Sequence, residues 1–272
     1  NGLVGSEMCI RDRTRDAARL WARHGRVAAA YRERVLAADG TVQGDTQCGY
    51  VLTLAYGLVD AERHARVAER LVQRIEARGD HLSTGFLGTK DLMLALAQIG
   101  RHDVAWKLLT NDTFPSWGFS IRHGATSIWE RWDGWTPEKG FQDPGMNSFA
   151  HYSFGAVYQW MVENIGGIQA RKPGYRAITV AQRPGGGVTW AKFGSDSVRG
   201  PIRSDWEIDS GVFTLHGELT AGPAGVVVVP PEVDASQVRI DGADPAAAGA
   251  QVTGDHILVG SGRWKFTAPW RD

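Results

Sequence analysis

Residues 114–135 read FPSWGFSIRHGATSIWERWDGW and form the most informative stretch of the chain. A single glutamate, Glu130, stands in this stretch among the indoles of Trp117, Trp129, Trp132 and Trp135. Flat indole rings can cover the apolar face of a sugar, and cleavage of a glycosidic bond needs a carboxylate to handle water or a proton. The pattern therefore predicts a carbohydrate site centred on Glu130.

A purely structural explanation competes with this prediction. Tryptophans are mostly well buried, and Glu130 could form a buried ion pair with the adjacent Arg131. Gly118, Gly124 and Gly134, however, favour a loop or short strands in this region, and loops carry functional residues more often than core residues. The binding interpretation is preferred for that reason.

The backbone around Glu130 can be interpreted in two ways. If residues 127–133 are extended, Glu130 and Trp132 share one face; if they are helical, Glu130 lies with Asp133. The glycines that flank this segment leave too few residues for a well-anchored helix. We therefore expect an extended or irregular backbone, with Glu130 and Trp132 directed at the ligand.

Three motifs in order resemble the bacterial α-L-rhamnosidases. They are HLSTGFLGT at residues 81–89, FPSWG with GATSIWERWDG at residues 114–134, and MNSFAHY at residues 146–152. The resemblance runs from about Gly44 to about Pro231. It implies an inverting glycoside hydrolase whose catalytic domain is an (α/α)6 barrel, also called a six-hairpin glycosidase, followed by a β-sandwich.

The resemblance also implies roles for individual residues. Glu130 matches the general base of the family, and His151 matches a histidine that holds the rhamnose ring. Without the motif, a lone histidine would be more simply explained as a core residue. Trp117 and Trp132 are candidate walls for the ring, and Arg131 is a candidate substrate-binding residue whose charge would keep Glu130 ionised.

The general acid of the family lies in a motif that this sequence does not contain. We therefore expect the acid in an upstream part of the protein, so that this chain alone is catalytically incomplete. Four other carboxylates have ordinary roles available as helix caps, surface charges or loop residues: Asp91, Glu138, Asp143 and Glu163.

The chain divides into three parts by its patterns. Residues 1–13 have no helical or strand period and resemble a non-native leader. Residues 14–169 show helical periodicity, with helices predicted at 15–38, 46–58, 61–78, from Thr89, and at 147–165. Residues 170–272 contain short strand-like runs separated by Gly, Pro, Asp and Ser. The predicted fold is a partial (α/α)6 toroid followed by an antiparallel β-sandwich.

Composition excludes several classes of function. The 30 basic and 30 acidic residues give no net charge, so nothing favours nucleic acid or an anionic membrane, and a neutral substrate fits better. Two cysteines make neither a Cys-rich zinc site nor a disulfide framework. We predict no metal and no cofactor, with α-L-rhamnose-containing glycosides as substrates, and leave the oligomeric state and the compartment open.

Two other functions remain possible on the sequence. One is a non-catalytic carbohydrate-binding or structural remnant. The other is a different (α/α)-barrel glycosidase or a lyase, which would need a Tyr or His base and a basic cluster for a uronate. Only Arg122 and Arg131 are strong cations near Glu130, so a lyase is the less favoured alternative.

Overall fold

The computed structural model describes residues 14–219 and 224–271, so the predicted leader lies outside the described residues. Two compact units divide between Val157 and Tyr158. The first is helical and the second is built from β-strands, in the predicted order. The predicted domain boundary after residue 169 stays a prediction. No helix in the described ranges is long and apolar enough to cross a membrane.

The first unit is a succession of helices joined by short loops. They are α1 (Thr14–Arg34), α2 (Gln47–Ala55), α3 (Ala61–Glu76), α4 (Phe86–Gln98), α5 (His102–Thr110) and α6 (Trp117–Arg122), followed by two short antiparallel strands, β1 (Trp135–Thr136) and β2 (Gly140–Phe141). The apolar stripes predicted from the sequence form its core: Leu71 and Ile75 of α3 and Leu92 and Leu96 of α4 are completely buried. Burial of these stripes is what stabilises the helices.

Two helix predictions are corrected by the structure. Helix α4 begins at Phe86 after the N-cap Gly85, so Thr89 lies inside it. The predicted helix over residues 147–165 is wrong for its first part, since residues 147–152 are not helical. Its remainder is a 3₁₀ turn at Ser153–Ala156, helix α7 (Val157–Trp160) and a π-helical turn at Met161–Ile165.

A buried glutamine fixes the segment that carries the HLSTG motif. Gln47 on α2 is 1% exposed. Its Nε2 donates to the carbonyls of Arg74 at 3.2 Å and His81 at 2.9 Å, and its Oε1 accepts from the Ser83 amide at 2.8 Å. One side chain thus satisfies three backbone groups that no helix or strand would satisfy. The turn leading into α4 is held in one position.

The second unit contains two five-stranded sheets. Its strands are β3 (Ile168–Lys172), β4 (Ala177–Val180), β5 (Trp190–Ser197), β6 (Gly200–Asp209), β7 (Val212–Leu219), β8 (Ala224–Val228), β9 (Arg239–Ile240), β10 (Gln251–Thr253), β11 (His256–Val259) and β12 (Gly262–Pro269). The strand orders are β10-β11-β8-β4-β3 and β5-β6-β7-β12-β9. The predicted antiparallel pairing holds except between β4 and β8, which are parallel.

Strand β6 shows the alternation expected of a one-sided sheet. Ile202, Ser204 and Trp206 are buried, whereas Arg203 and Asp205 between them are half-exposed. A period of two places successive side chains on opposite faces. The buried indole of Trp206 still satisfies its N–H, which donates to the Ile165 carbonyl at 2.8 Å.

Replacing Gln47 by leucine should destabilise the protein by about 2 kcal/mol or more, because it leaves buried backbone groups without partners. The measurement is the thermal unfolding midpoint of the complete gene product that contains this chain. Gln73→Leu is the matched control, since Gln73 is an exposed glutamine of α3 that bonds only a neighbouring side chain, Glu69. Equal midpoints for the two variants would contradict the role given to Gln47.

Candidate functional site

The second and third motifs run side by side and are joined by backbone hydrogen bonds. The amide of Glu130 donates to the Ser148 carbonyl at 2.9 Å, and the amide of His151 donates to the Ile128 carbonyl at 2.8 Å. Residues 125–133 contain neither helix nor strand, so the expectation of an irregular backbone is confirmed. This pairing also explains why residues 147–152 are not helical, because their backbone bonds a distant loop.

The carboxylate of Glu130 is held by one oxygen. Its Oε2 accepts the Ser148 amide at 2.7 Å, while its Oε1 lies 4.0 Å from Nε2 of His151, and the side chain is 15% exposed. A charge-assisted bond from a backbone N–H to a carboxylate is short and strong. The carboxylate therefore has a fixed plane, with Oε1 available to another partner.

The ring of His151 is oriented by its neighbours. Its Nδ1 accepts the Ser153 amide at 3.3 Å, so the neutral ring carries its proton on Nε2, next to Glu130. Phe86 stacks on the ring at 4.8 Å between centroids with planes 13° apart. The exposed ring of Tyr152 lies parallel to the imidazole at 5.3 Å.

The two tryptophans predicted as walls are tied to the scaffold. Trp132 donates its indole N–H to the Thr84 carbonyl at 2.8 Å, which links the first motif to the second. Its ring stacks on Phe154 at 4.0 Å and meets Trp117 edge-on at 5.4 Å. Trp117 is 7% exposed and donates to the Phe154 carbonyl at 3.0 Å. Trp117 therefore supports Trp132 from the core.

Arg131 is occupied by a neighbouring carboxylate. Its Nε and Nη2 donate to Asp133 at 3.0 and 3.2 Å, and Gln142 donates to the same carboxylate at 2.9 Å. The hydrogen bond from Arg131 holds the pKa of Asp133 below its ordinary value. The positive charge of Arg131 therefore interacts mainly with Asp133, and its interaction with Glu130 is weaker.

A cavity of 580 Å³ brings several of these residues together. Glu130, Arg131 and Trp132 line it together with residues 82–85 of the HLSTG motif. Trp117 instead lines an adjoining apolar cavity of 300 Å³, which shares Arg131 and Trp132 with the first. His151 enters the arrangement through its contact with Glu130. The volume is in the range of small-molecule sites.

The other carboxylates named from the sequence have structural partners or are exposed. Asp91 is 4% exposed and accepts a tyrosine hydroxyl at 3.2 Å. Asp143 caps a short 3₁₀ turn, Glu138 is exposed, and Glu163 in the second unit accepts a glutamine amide at 2.7 Å. Among the described residues, no three His, Cys, Asp or Glu side chains cluster so as to hold a metal ion.

Residues 7–165, more than half of the chain, match the family model of the bacterial alpha-L-rhamnosidase 6 hairpin glycosidase domain. The chain belongs to the bacterial α-L-rhamnosidase family. Residues 167–243 match the C-terminal domain of the bacterial α-L-rhamnosidases. The helical unit and the β-sheet unit thus correspond to two domains of one family.

Several relatives are similar over most of the chain. An α-L-rhamnosidase of Streptomyces avermitilis is 46% identical over 205 residues, which are 75% of this chain and 20% of the relative. One from Formosa agariphila is 39% identical over 190 residues, 70% of this chain and 19% of the relative. The chain therefore spans about a fifth of the length of these curated relatives.

A solved structure confirms the fold of the described residues. The crystal structure of the Streptomyces avermitilis α-L-rhamnosidase complexed with L-rhamnose superposes with a TM-score of 0.88 at 40% identity. The match covers 95% of this chain and 25% of that chain. The structure from Aspergillus terreus gives a TM-score of 0.81 at 28% identity.

Three contacts at the site were not found by sequence reasoning. Ser148 contributes its backbone N–H, Ser153 orients His151 through its own amide, and Phe86 supplies a ring face. Backbone donors leave no signature in residue type. The only available signal was the position of these residues within or beside the first and third motifs.

Asp133→Asn should lower the stability of the protein near neutral pH by about 1 kcal/mol or less, since the pair with Arg131 is partly exposed. The pKa of Asp133 is lowered in the folded state, so its contribution is complete above the unfolded value of about 3.9. It is lost as the pH falls through the lower folded value. Thermal unfolding midpoints of wild type and variant should therefore converge in acid, once the pH lies below the lowered pKa of Asp133.

Asp112→Asn is the control for this measurement, because Asp112 pairs with Arg122 at 2.9 Å but both side chains are more than half exposed. It should change the midpoint little at any pH, as expected of an exposed ion pair. A gap between wild type and Asp133→Asn that stays constant into strong acid would contradict the assignment.

Proposed function

We propose that the complete gene product containing this chain hydrolyses terminal α-L-rhamnose from glycosides with inversion, and that Glu130 is its general base. The observation that carries the proposal is the environment of Glu130. It is a mostly buried carboxylate on the wall of a cavity, with one oxygen bound to the Ser148 amide and the other free of strong donors among the described residues. Family membership supports the choice of sugar.

Inversion assigns the two carboxylate oxygens different tasks. The base must accept a proton from a water that attacks the anomeric carbon from the face opposite the leaving group. Oε2 of Glu130 already accepts the Ser148 N–H, so Oε1 receives the water proton.

The leaving oxygen needs a separate acid on the opposite face of the sugar. In inverting enzymes the two carboxyl groups are about 6.5–9.5 Å apart, which leaves room for the water. Asp91, Asp143 and Glu163 have structural partners, and Glu138 is exposed. Asp133, which lines the same cavity, is engaged by Arg131 and Gln142. We therefore assign the acid to a part of the protein outside the described residues.

The sugar is held by groups around Glu130. Nε2–H of His151 points to the neighbourhood of Oε1 and donates to a ring hydroxyl. Trp132 contributes apolar surface on the cavity wall, and Trp117 fixes Trp132 from behind. Arg131, restrained by Asp133, contributes positive charge at the cavity. The L-rhamnose bound in the crystals of the Streptomyces avermitilis relative is consistent with this choice of ligand.

Glu130→Gln should reduce the hydrolysis of an aryl α-L-rhamnoside by the complete gene product by about 10³-fold or more, because the amide cannot accept the water proton. NMR of the wild-type reaction should show β-L-rhamnose as the first product anomer. Glu138→Gln, an exposed glutamate of the same loop region, is the control and should behave as wild type.

Undiminished turnover in Glu130→Gln would refute the assignment of the base. A wild type that binds L-rhamnose in calorimetry but never releases an aryl group would indicate a non-catalytic carbohydrate-binding protein. First formation of the α anomer would refute inversion while leaving the sugar specificity intact.

A further inference from the structure

Asn147 closes a ring of contacts around Glu130. Its Nδ2 donates to the carbonyls of Gly134 at 2.9 Å and Gln142 at 3.4 Å. The next residue, Ser148, donates its amide to Oε2 of Glu130 and accepts the amide of Glu130 through its carbonyl. The chain leads from Glu130 to Gly134, whose carbonyl accepts the bond from Asn147. Asn147 is followed by Ser148, whose bonds to Glu130 close the ring.

The fit of Asn147 in this ring is close. A Cβ atom on Gly134 would lie 2.6 Å from Oδ1 of Asn147, closer than such atoms approach. Gly134 does not have a positive φ, so an alanine here would displace the Asn147 amide without straining the backbone. The amide of Gly134 in turn donates to the Arg131 carbonyl at 3.3 Å, which closes the turn directly after Glu130.

Asn147 is oriented by its donors. Within the described part of the chain, its Oδ1 is buried without a hydrogen-bond partner. An unpaired buried oxygen costs free energy, so the orientation is maintained by the bonds from Nδ2 to the two carbonyls. The amide group therefore acts as a brace between the loop that follows Glu130 and the segment that holds its carboxylate.

We propose that Asn147 is a positioning residue for Glu130: it sets the position of the Ser148 amide and thereby the direction in which Oε1 faces the attacking water. This inference rests on the proposed function, because it concerns the geometry of the proposed base. The segments 125–133 and 147–152 lie in neither a helix nor a long strand. The brace therefore provides the rigidity that regular secondary structure would otherwise give. A displacement of about 1 Å in such a site can reduce the rate by about 10²-fold.

The test compares Asn147→Ala and Gly134→Ala in the complete gene product, since these substitutions disturb one contact from its two sides. Both should lower kcat for an aryl α-L-rhamnoside by about 10- to 100-fold, with KM changed by less than about 3-fold. A lower midpoint of thermal unfolding alone would indicate a structural role only.

Asn111→Ala is the matched control, because Asn111 also joins two segments of the helical unit. It donates to the Asp80 carbonyl at 3.0 Å and accepts the Thr113 amide at 2.9 Å. It should lower the unfolding midpoint and leave kcat unchanged. If Asn147→Ala does not fold, Asn147→Leu keeps the approximate size of the side chain and removes both donors without adding a charge, and the same kinetic changes are expected.

A folded Asn147 variant with wild-type kcat, or one whose kinetics are indistinguishable from those of Asn111→Ala, would overturn the positioning role. Glu130→Gln is assayed in parallel, so that the two ideas can be separated. If Glu130→Gln loses activity while the Asn147 variant behaves as wild type, only the positioning role of Asn147 is refuted. Full activity in Glu130→Gln refutes the proposed function itself.

Discussion

The arrangement of the site depends on the hydrogen bonds that join two irregular segments across the chain. The backbone groups of Ile128 and Glu130 pair with those of His151 and Ser148. Neither segment has a helix to fix its position, and each alone would be a surface loop. Together they satisfy one another's backbone groups, and the same pairing places the carboxylate of Glu130 against the Ser148 amide and beside the imidazole of His151.

Aromatic rings make this pairing rigid. Trp132 is fixed by its indole N–H, by stacking on Phe154 and by the edge of Trp117. Stacked and edge-on rings contribute free energy beyond that of area burial, and a buried indole N–H needs an acceptor. Burial in the core therefore accounts for some of these tryptophans, while another also has a place on the cavity wall. Trp117 and Trp129 are buried, whereas Trp132 also forms part of the cavity wall.

The sequence was sufficient for features that depend on local patterns. Leu71 and Ile75 follow the helical period and are buried as expected, and the region predicted to contain short strands is built from strands. The parallel pairing of β4 with β8 and the loop at residues 147–152 depend on contacts between distant parts of the chain, which no local period encodes. At the site, the sequence identified Glu130 because a glutamate stands within a motif. The donor that orients Glu130 is a backbone amide, which any residue except proline would supply, so the sequence did not identify it.

An inverting mechanism has a physical consequence for how such a site is built. The base and the acid act on opposite faces of the sugar and are separated by a water, so they need no direct contact and can be held by different structural elements. Each carboxylate must then be oriented by its own surroundings. In the proposed mechanism, Glu130 obtains this orientation within a short closed path through Gly134, Asn147 and Ser148. Because that path lies wholly within the helical unit, the direction of Oε1 is determined before any acid is placed opposite to it, and preorganisation of this kind lowers the cost of reaching the transition state.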